Sequence, residues 1–459
     1  MTHRFHPSIL REYDIRGILG QTLGAADARA VGLAFAARLG GGGKVAVGRD
    51  GRLSSPMLEA ALVDGLTLGG CDVVCIGISP TPMLYFAEAT GDDLQGAIQV
   101  TGSHNPRDHN GFKIVLRGHP FFGADIRALE GSEQGEALAI PRGAVEQRDV
   151  LGAYIDRLLQ ALSGIEPARL AGLRIGWDTG NGAAGPAVEA LVARLPGEHH
   201  CLFTTVDGYF PNHHPDPTVE ANLADLRALV ADKSLDFGVA FDGDGDRIGV
   251  VDSLGRLIHG DQLLTIFAED LLQHHPGATV IADVKASQAV FDRVAELGGH
   301  PLMWKTGHSL IKAKMKETGA LLGGEMTGHI FFADDYYGYD DALYAALRLI
   351  VASVRLNKSV TDLCSTLPVL INTPELRFQV DENRKFAVID EVATRLSATS
   401  APVNTVDGVR VTTPDGWWLL RASNTQDGLT ARAESGDAAG LARLLAQIDA
   451  QLAASGVSR

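Results

Sequence analysis

The sequence predicts an α/β protein: three tandem, similar α/β units with mixed, largely parallel sheets, then a smaller C-terminal α+β unit. Two observations carry this. First, one pattern occurs three times: a β-branched apolar run, a polar or glycine turn, then a stretch of helical period. It begins at Lys44 (KVAVGRDGRLSSPMLEAALVDGLTLGG), at Leu173 (LRIGWDTGNGAAGPAVEALVARL) and at Ala278 (ATVIADVKASQAVFDRVAELGG). Strand then helix, repeated, builds parallel sheets covered by helices. The interval, roughly 105–130 residues, is that of a domain and not of a solenoid repeat. Second, the pattern stops before the C-terminal stretch, where VRVTTPDGWWLLRASN reads as two strands around Pro414-Asp415-Gly416, a hairpin signal.

The units are expected in order. Residues 1–148 hold the repeat from Lys44, the buried run GGCDVVCIGIS and the β-like Gly96–Val100, which ends at TGSHNP. Residues 149–254 hold the repeat from Leu173 and an apolar strand from Phe237 to Phe241. Residues 255–367 hold the repeat from Ala278, a helix over SLIKAKMKETG and a hairpin around GGEMTGH. Residues 368–459 open at a boundary near Pro368, and helical pattern returns there only from Ala438 to Leu452. No low-complexity linker separates the units, so close packing is expected.

At 459 residues the chain is too long for one core, and its 45% hydrophobic and 21% charged composition is that of a globular protein in water. The net charge is −16 and no Lys/Arg run stands out. Nucleic acid is therefore not an expected partner, because a phosphate backbone needs a basic footprint. No apolar run reaches the ~18 residues of a membrane helix. The stretch MTHRFHPSILREYDIRG lacks the apolar centre of a signal peptide. Cys71, Cys75, Cys201 and Cys364 follow no metal-binding spacing, which suits small thiols in a reducing cytoplasm.

Ser103 stands out. It follows the β-like run and precedes His104 and Asn105-Pro106, so the chain turns there and displays a hydroxyl beside an imidazole. FDGDGDR is the second constellation. The apolar strand delivers Asp242, Asp244 and Asp246 at alternate positions, separated by Gly243 and Gly245. The glycines let the backbone curl so that the carboxylates converge. Crowded carboxylates repel and need a cation, and oxygen-only ligands point to a hard metal, foremost Mg²⁺. An EF-hand is excluded, because Arg247 and Ser253 stand where that loop needs Gly and Glu. A phosphatase with Asp242 as nucleophile stays open but leaves Ser103 unused.

Other polar islands are weaker. Arg421-Ala-Ser423-Asn424-Thr425 offers a guanidinium, two hydroxyls and an amide for an anion; the competing reading is a polar turn. GGEMTGH sets Glu325 and His329 between apolar strands. KTGHS, with Thr306, Gly307 and His308, opens a helix whose N-terminus could meet an anion, though ordinary N-capping would explain Ser309. Arg16, Lys113 and Lys285 are single cations beside expected strand ends, where surface residues are the commoner case. FPNHHPDP reads as a rigid loop. RLGGGGKV lacks the first Gly of a P-loop and has Val45 where Ser or Thr is required.

Taken together, EYDIRG at 12–17, TGSHNP at 101–106, NGFK at 110–113, DGDGDR at 242–247, TGHS at 306–309, GEMTGH at 324–329 and RASNT at 421–425 closely resemble the α-D-phosphohexomutase superfamily. They are most similar to its bacterial bifunctional phosphomannomutase/phosphoglucomutase branch. The resemblance implies three like α/β domains and a fourth that closes over a central cleft. It implies that Ser103 carries the transferred phosphoryl group, and that Asp242, Asp244, Asp246 and a phosphoserine oxygen bind Mg²⁺. It implies that Arg16, Lys113 and Arg247 line the reaction centre, with His104 positioning the phosphoryl group and Lys113 or His329 moving the proton. Glu325 would read sugar hydroxyls, with Tyr13, Lys285, Thr306, Gly307, His308 and Met326 around it. Arg421, Ser423, Asn424 and Thr425 would hold the non-reacting phosphate. The implied reaction converts hexose 1-phosphate and 6-phosphate through a 1,6-bisphosphate, glucose 1,6-bisphosphate serving as activator, on a chain that acts as a monomer. Met326 and Gly102 favour glucose and mannose over a phosphoglucosamine mutase; a Mg²⁺-dependent sugar phosphatase is the remaining alternative. Gln426-Asp427 departs from the Glu-Pro common in the family, which puts the stiffness of that loop in doubt.

Overall fold

The computed structural model describes residues 3–131, 141–381, 384–398, 401–423 and 428–457. Four sheets follow one another along the chain. In the first, the order is Ile15–Ile18, His109–Leu116, Leu94–Val100, Lys44–Arg49, Asp72–Ile78 and Val145–Gln147. In the second it is Leu257–Ile258, Ile248–Asp252, Phe237–Phe241, Arg174–Asp178 and Glu198–Leu202, and in the third His300–Trp304, Thr279–Asp283, Leu322–Gly324 and Ile330–Phe332.

The three share a local plan. Lys44–Arg49, Arg174–Asp178 and Thr279–Asp283 each precede a helix. Each pairs in parallel with a strand that ends in a motif loop: Leu94–Val100, Phe237–Phe241 and Leu322–Gly324. Each of these then turns into an antiparallel partner: His109–Leu116, Ile248–Asp252 and Ile330–Phe332. TGSHNP, DGDGDR and GEMTGH are thus the same turn in three α/β units. The sheets are mixed, with parallel pairing at the repeats and antiparallel pairing at the turns.

The fourth sheet is antiparallel and orders Ile371–Asn372, Leu429–Ser435, Gly416–Ala422, Val409–Thr413 and Val403–Asn404. The hairpin at Pro414-Asp415-Gly416 forms as expected. Two helices depart from the sequence reading. Lys385–Ser397 adds a helix to the last unit, whose helical pattern was expected only from Ala438. Ala342–Leu356 was not anticipated; its residues 342–354 are all buried, Arg348 among them.

One continuous apolar core joins the first three units, running from Ala46 and Trp177 to Phe267 and Leu363. The last unit has its own, around Trp418, Val392 and Ile448. Among the described residues no helix is long and apolar enough to cross a membrane.

Candidate active site

Ser103 lies in the turn between Leu94–Val100 and His109–Leu116. It is buried, and its φ of +48° puts it in the left-handed region, which a residue with a Cβ seldom enters. Its Oγ donates to Asp242 Oδ2 at 2.7 Å and lies 3.2 Å from His104 Nδ1.

Asp242, Asp244 and Asp246 follow the buried strand Phe237–Phe241 and are themselves fully buried. Their carboxylate oxygens lie within 4.8 Å of one another. Gly245, at φ +71°, lets the loop turn back, and a Cβ at Gly243 would stand 2.4 Å from the Ser103 carbonyl oxygen. The glycines therefore permit both the curl and the approach to the serine. Lys113 Nζ donates to Asp244 Oδ2 at 2.8 Å and to Asp246 Oδ2, and Thr81 Oγ1 donates to Asp244 Oδ2 at 2.6 Å.

Burial, then repulsion from Asp244 and Asp246, pushes the Asp242 carboxyl up. Burial acts on Asp244 too, but Lys113 and Thr81 outweigh it and hold that carboxyl low. Burial disfavours the Lys113 ammonium, yet Asp244, Asp246 and Asp242 raise it above its usual range. Lys113 is thus held as a cation by the three carboxylates. It also sits in the middle of a strand and is buried, not at a strand end on the surface.

The donor set fits a hard cation. All ligand atoms are carboxylate or hydroxyl oxygens, and Asp244 Oδ1 and Asp246 Oδ1 are buried with no hydrogen-bond partner among the described residues.

Cations surround this centre. Arg16 donates to the Thr101 carbonyl at 2.9 Å and pairs with Asp14. Arg247 Nε donates to His329 Nε2 at 2.9 Å. Arg can only donate, so His329 carries its proton on Nδ1, which lies 2.9 Å from Asp340 Oδ2. Burial, then Arg247, Arg16 and Lys113, keeps His104 neutral. Burial and Lys312 do the same for His308, which stacks on His329 at 5.5 Å.

The third and fourth units supply a second region. Gly307 N–H donates to Glu325 Oε1 at 2.5 Å, Thr306 Oγ1 to Asp283 Oδ2 at 2.9 Å, and Met326 N–H to Asp283 Oδ1 at 3.2 Å. The Tyr13 ring packs where a Gly307 Cβ would stand. Arg421 pairs with Asp407 at 3.0 Å, and Asp407 also accepts from Thr306 N–H at 3.1 Å, so the expected anion cradle and the KTGHS loop share one carboxylate. Lys285 is buried, 3.7 Å from Glu375. Ser423 is buried beside Arg421. Asn424 and Thr425, with Gln426-Asp427, lie outside the described residues. Ser309 does not cap its helix: Gly307 is the N-cap, and the Ser309 hydroxyl turns to the Tyr13 carbonyl at 3.4 Å.

Four domain descriptions match the chain in order. Phosphoglucomutase/phosphomannomutase alpha/beta/alpha domain I matches residues 7–136, domain II 152–255, domain III 259–370 and the C-terminal domain 375–451. The chain belongs to the phosphoglucomutase/phosphomannomutase family. It is 44% identical over 439 residues to a phosphomannomutase/phosphoglucomutase of Pseudomonas putida, covering 95% of this chain and 94% of the relative. It is 42% identical to a phosphoglucomutase of Neisseria gonorrhoeae, covering 95% of each. The crystal structure of a phosphoglucomutase/phosphomannomutase family protein from Burkholderia thailandensis superposes with a TM-score of 0.90 at 43% identity, over 99% of this chain and 98% of that one. As a member of this family the chain is an enzyme of phosphoryl-transfer isomerisation.

Within this phosphoglucomutase/phosphomannomutase fold, several site residues escaped sequence reasoning. Asp50, Asp178 and Asp283 stand at the same point of the three repeats, at or just past the end of the first strand. That repetition was the available signal. Asp50 accepts from Gly102 N–H at 2.9 Å and Asp283 from Met326 N–H, so two of them tie down motif loops. Asp178 accepts from His213 Nε2 at 3.0 Å, and the adjacent His214 lies against the His104 carbonyl. The HHP loop is therefore a structural clasp on the serine loop. Asp340 and Asp407 carried no sequence signal.

Proposed function

We propose that this enzyme interconverts the 1-phosphates and 6-phosphates of glucose and mannose, with Ser103 carrying the transferred phosphoryl group. The observation that supports this most is the Ser103 hydroxyl 2.7 Å from Asp242, inside a buried carboxylate triad and beside Arg16, Lys113 and Arg247. Phosphoryl transfer needs placement and charge neutralisation more than covalent chemistry from the protein.

Asp242, Asp244, Asp246 and an oxygen on Ser103 would hold Mg²⁺, which when bound draws charge from the phosphoryl group. In the first transfer, the bond from phosphorus to Ser103 Oγ breaks and one to the free sugar hydroxyl forms. The proton leaving that hydroxyl goes to His329 Nε2 once Arg247 Nε–H, which occupies that lone pair in the resting site, moves off it. The product is a 1,6-bisphosphate. It reorients, its other phosphate returns to Ser103, and His329 gives the proton back to the freed oxygen. Glucose 1,6-bisphosphate added from solution would phosphorylate Ser103 and so activate the enzyme.

Arg421, Ser423, Asn424 and Thr425 would hold whichever phosphate is not reacting. Glu325, steadied by Gly307 and Thr327, would read the sugar hydroxyls beside Tyr13, Lys285, His308 and Met326. We assign the four domains to 1–148, 149–254, 255–367 and 368–459. Free thiols at Cys71 and Cys75 support a cytoplasmic location.

Isomerisation of α-glucose 1-phosphate, α-mannose 1-phosphate and α-glucosamine 1-phosphate, side by side with Mg²⁺ and a trace of glucose 1,6-bisphosphate, tests the reading. Comparable glucose and mannose turnover is expected. A glucosamine preference would overturn the sugar assignment, and free phosphate without isomerisation would overturn the mutase.

A further inference from the structure

We propose that Asp50 and Arg52 form a positioning pair that holds the Ser103 loop in the geometry transfer requires. The inference rests on Ser103 as phosphoryl carrier and adds how its loop is held. Arg52 lies in the turn between Lys44–Arg49 and the helix Ser55–Leu68, and its side chain is 0% exposed. Nη2 donates to the carbonyls of Ser103 at 2.7 Å and Asn105 at 2.6 Å. Nη1 donates to those of Pro106 at 2.5 Å and His109 at 3.0 Å. Nε donates to Asp50 Oδ2 at 3.2 Å. All five N–H groups of the guanidinium are engaged, and four of them gather the carbonyls of one turn.

Asp50 holds the other strand of that turn. It accepts from Gly102 N–H at 2.9 Å and Thr101 Oγ1 at 3.0 Å. It also accepts from Ser55 Oγ at 2.5 Å and Arg52 N–H at 3.0 Å. Thr101 Oγ1 in turn accepts from Ser103 N–H at 2.8 Å. Both sides of the left-handed Ser103 are therefore fixed to one pair. Gly102 is part of the device, since a Cβ there would stand 2.2 Å from Arg52 Nε and 2.3 Å from Cζ.

A buried ion pair is a poor route to stability, because desolvation cancels much of the attraction. A turn exposed to water would satisfy the same carbonyls. What a planar five-donor fork supplies is a fixed geometry for several acceptors at once, here around the reacting oxygen.

The test uses the full-length enzyme in three variants, R52K, G102A and S103A. Lysine keeps the charge beside Asp50 but cannot reach four carbonyls. The added methyl of G102A pushes on the fork without removing a partner, so it covers the case in which R52K fails to fold. For each, kcat and KM for α-glucose 1-phosphate, melting temperature, and the rate at which glucose 1,6-bisphosphate phosphorylates Ser103 (by intact mass) are measured. Misplacing the hydroxyl by a fraction of an ångström should lower kcat on the order of 100-fold. KM should stay within about threefold, because sugar contacts lie elsewhere, and phosphorylation of Ser103 should slow in proportion. Near wild-type kcat in R52K and G102A, with S103A inactive, overturns the positioning pair alone. Loss of kcat that only tracks loss of folded protein also overturns it. An active S103A overturns the phosphoserine reading instead.

Discussion

Replacing Lys113 by Met removes the ammonium that neutralises the carboxylate triad. At an effective dielectric near 20, that ammonium at 2.8 Å from Asp244 is worth about 6 kcal/mol of attraction. Desolvation of both groups returns part of it, and removal of one partner of such a pair leaves about 3–5 kcal/mol of destabilisation. Without metal, Asp244 and Asp246 would then have only the Thr81 hydroxyl and the more distant charges of Arg16 and Arg247 to offset their charge. A divalent cation can replace the missing charge, and its stabilisation grows as RT ln(1 + [Mg²⁺]/Kd). K113M should therefore melt several degrees below wild type in EDTA and recover more than wild type as Mg²⁺ is added. Thermal unfolding of both proteins across a Mg²⁺ titration reads this directly. Equal melting in EDTA, or the same Mg²⁺-induced rise in both proteins, would refute the placement of Lys113 as the triad's counter-charge.

Three further outcomes are expected. S103A should fold with little change, since it loses only the hydroxyl contacts to Asp242 and His104, while isomerase activity drops by at least about a thousandfold and no phosphoserine appears by mass. R421K should raise KM for sugar phosphates about 10–100-fold, the value of a charge-assisted bond, with kcat less affected; unchanged KM would remove Arg421 from phosphate binding. Asp341, buried and accepting from Tyr154 and Tyr336, has its carboxyl raised to about 6, chiefly by burial. Its folded pKa lies above the unfolded value, so its contribution is full below pH 4 and is lost as pH rises from about 4 to 6, about 3 kcal/mol in all. D341N should accordingly gain on wild type by that amount between pH 4 and 7 in urea unfolding, and parallel pH profiles would contradict it.

The three repeats were legible because strand, turn and amphipathic helix each leave a local period. The triad was legible because an apolar strand delivers acids at alternate positions, and the hairpin at Pro414 because turn chemistry is local. What stayed hidden depends on contacts across long sequence distances. Lys113 by its own residue signal looks like one more lysine, and only the family resemblance placed it at the reaction centre, where its strand brings it to Asp244 and Asp246, 131 and 133 residues away. Arg52 reads as a turn residue until the carbonyls some fifty residues on close around it. Ser309 has the residue type of a cap, but Gly307 takes that place and the hydroxyl serves an interdomain contact. Helix Ala342–Leu356 went unread although Arg348 and Arg355, seven residues apart, share one face; Arg348 is buried against Asp334, a contact no local pattern announces.

The charge balance of the site has a consequence for assembly. The cations Arg16 and Lys113 come from the first unit and the three aspartates from the second. Before these meet, among the described residues Lys113 has no counter-charge on its own surface while Arg16 already pairs with Asp14, and the three aspartates have only Arg247 of their own unit beside them. Each half is poorly suited to burial alone, and each attracts the other. As the chain emerges from its N-terminus, the cationic half is made first and waits for the acidic one. The same charges that would neutralise a phosphoryl group in the finished enzyme thus draw the two units into register as it forms.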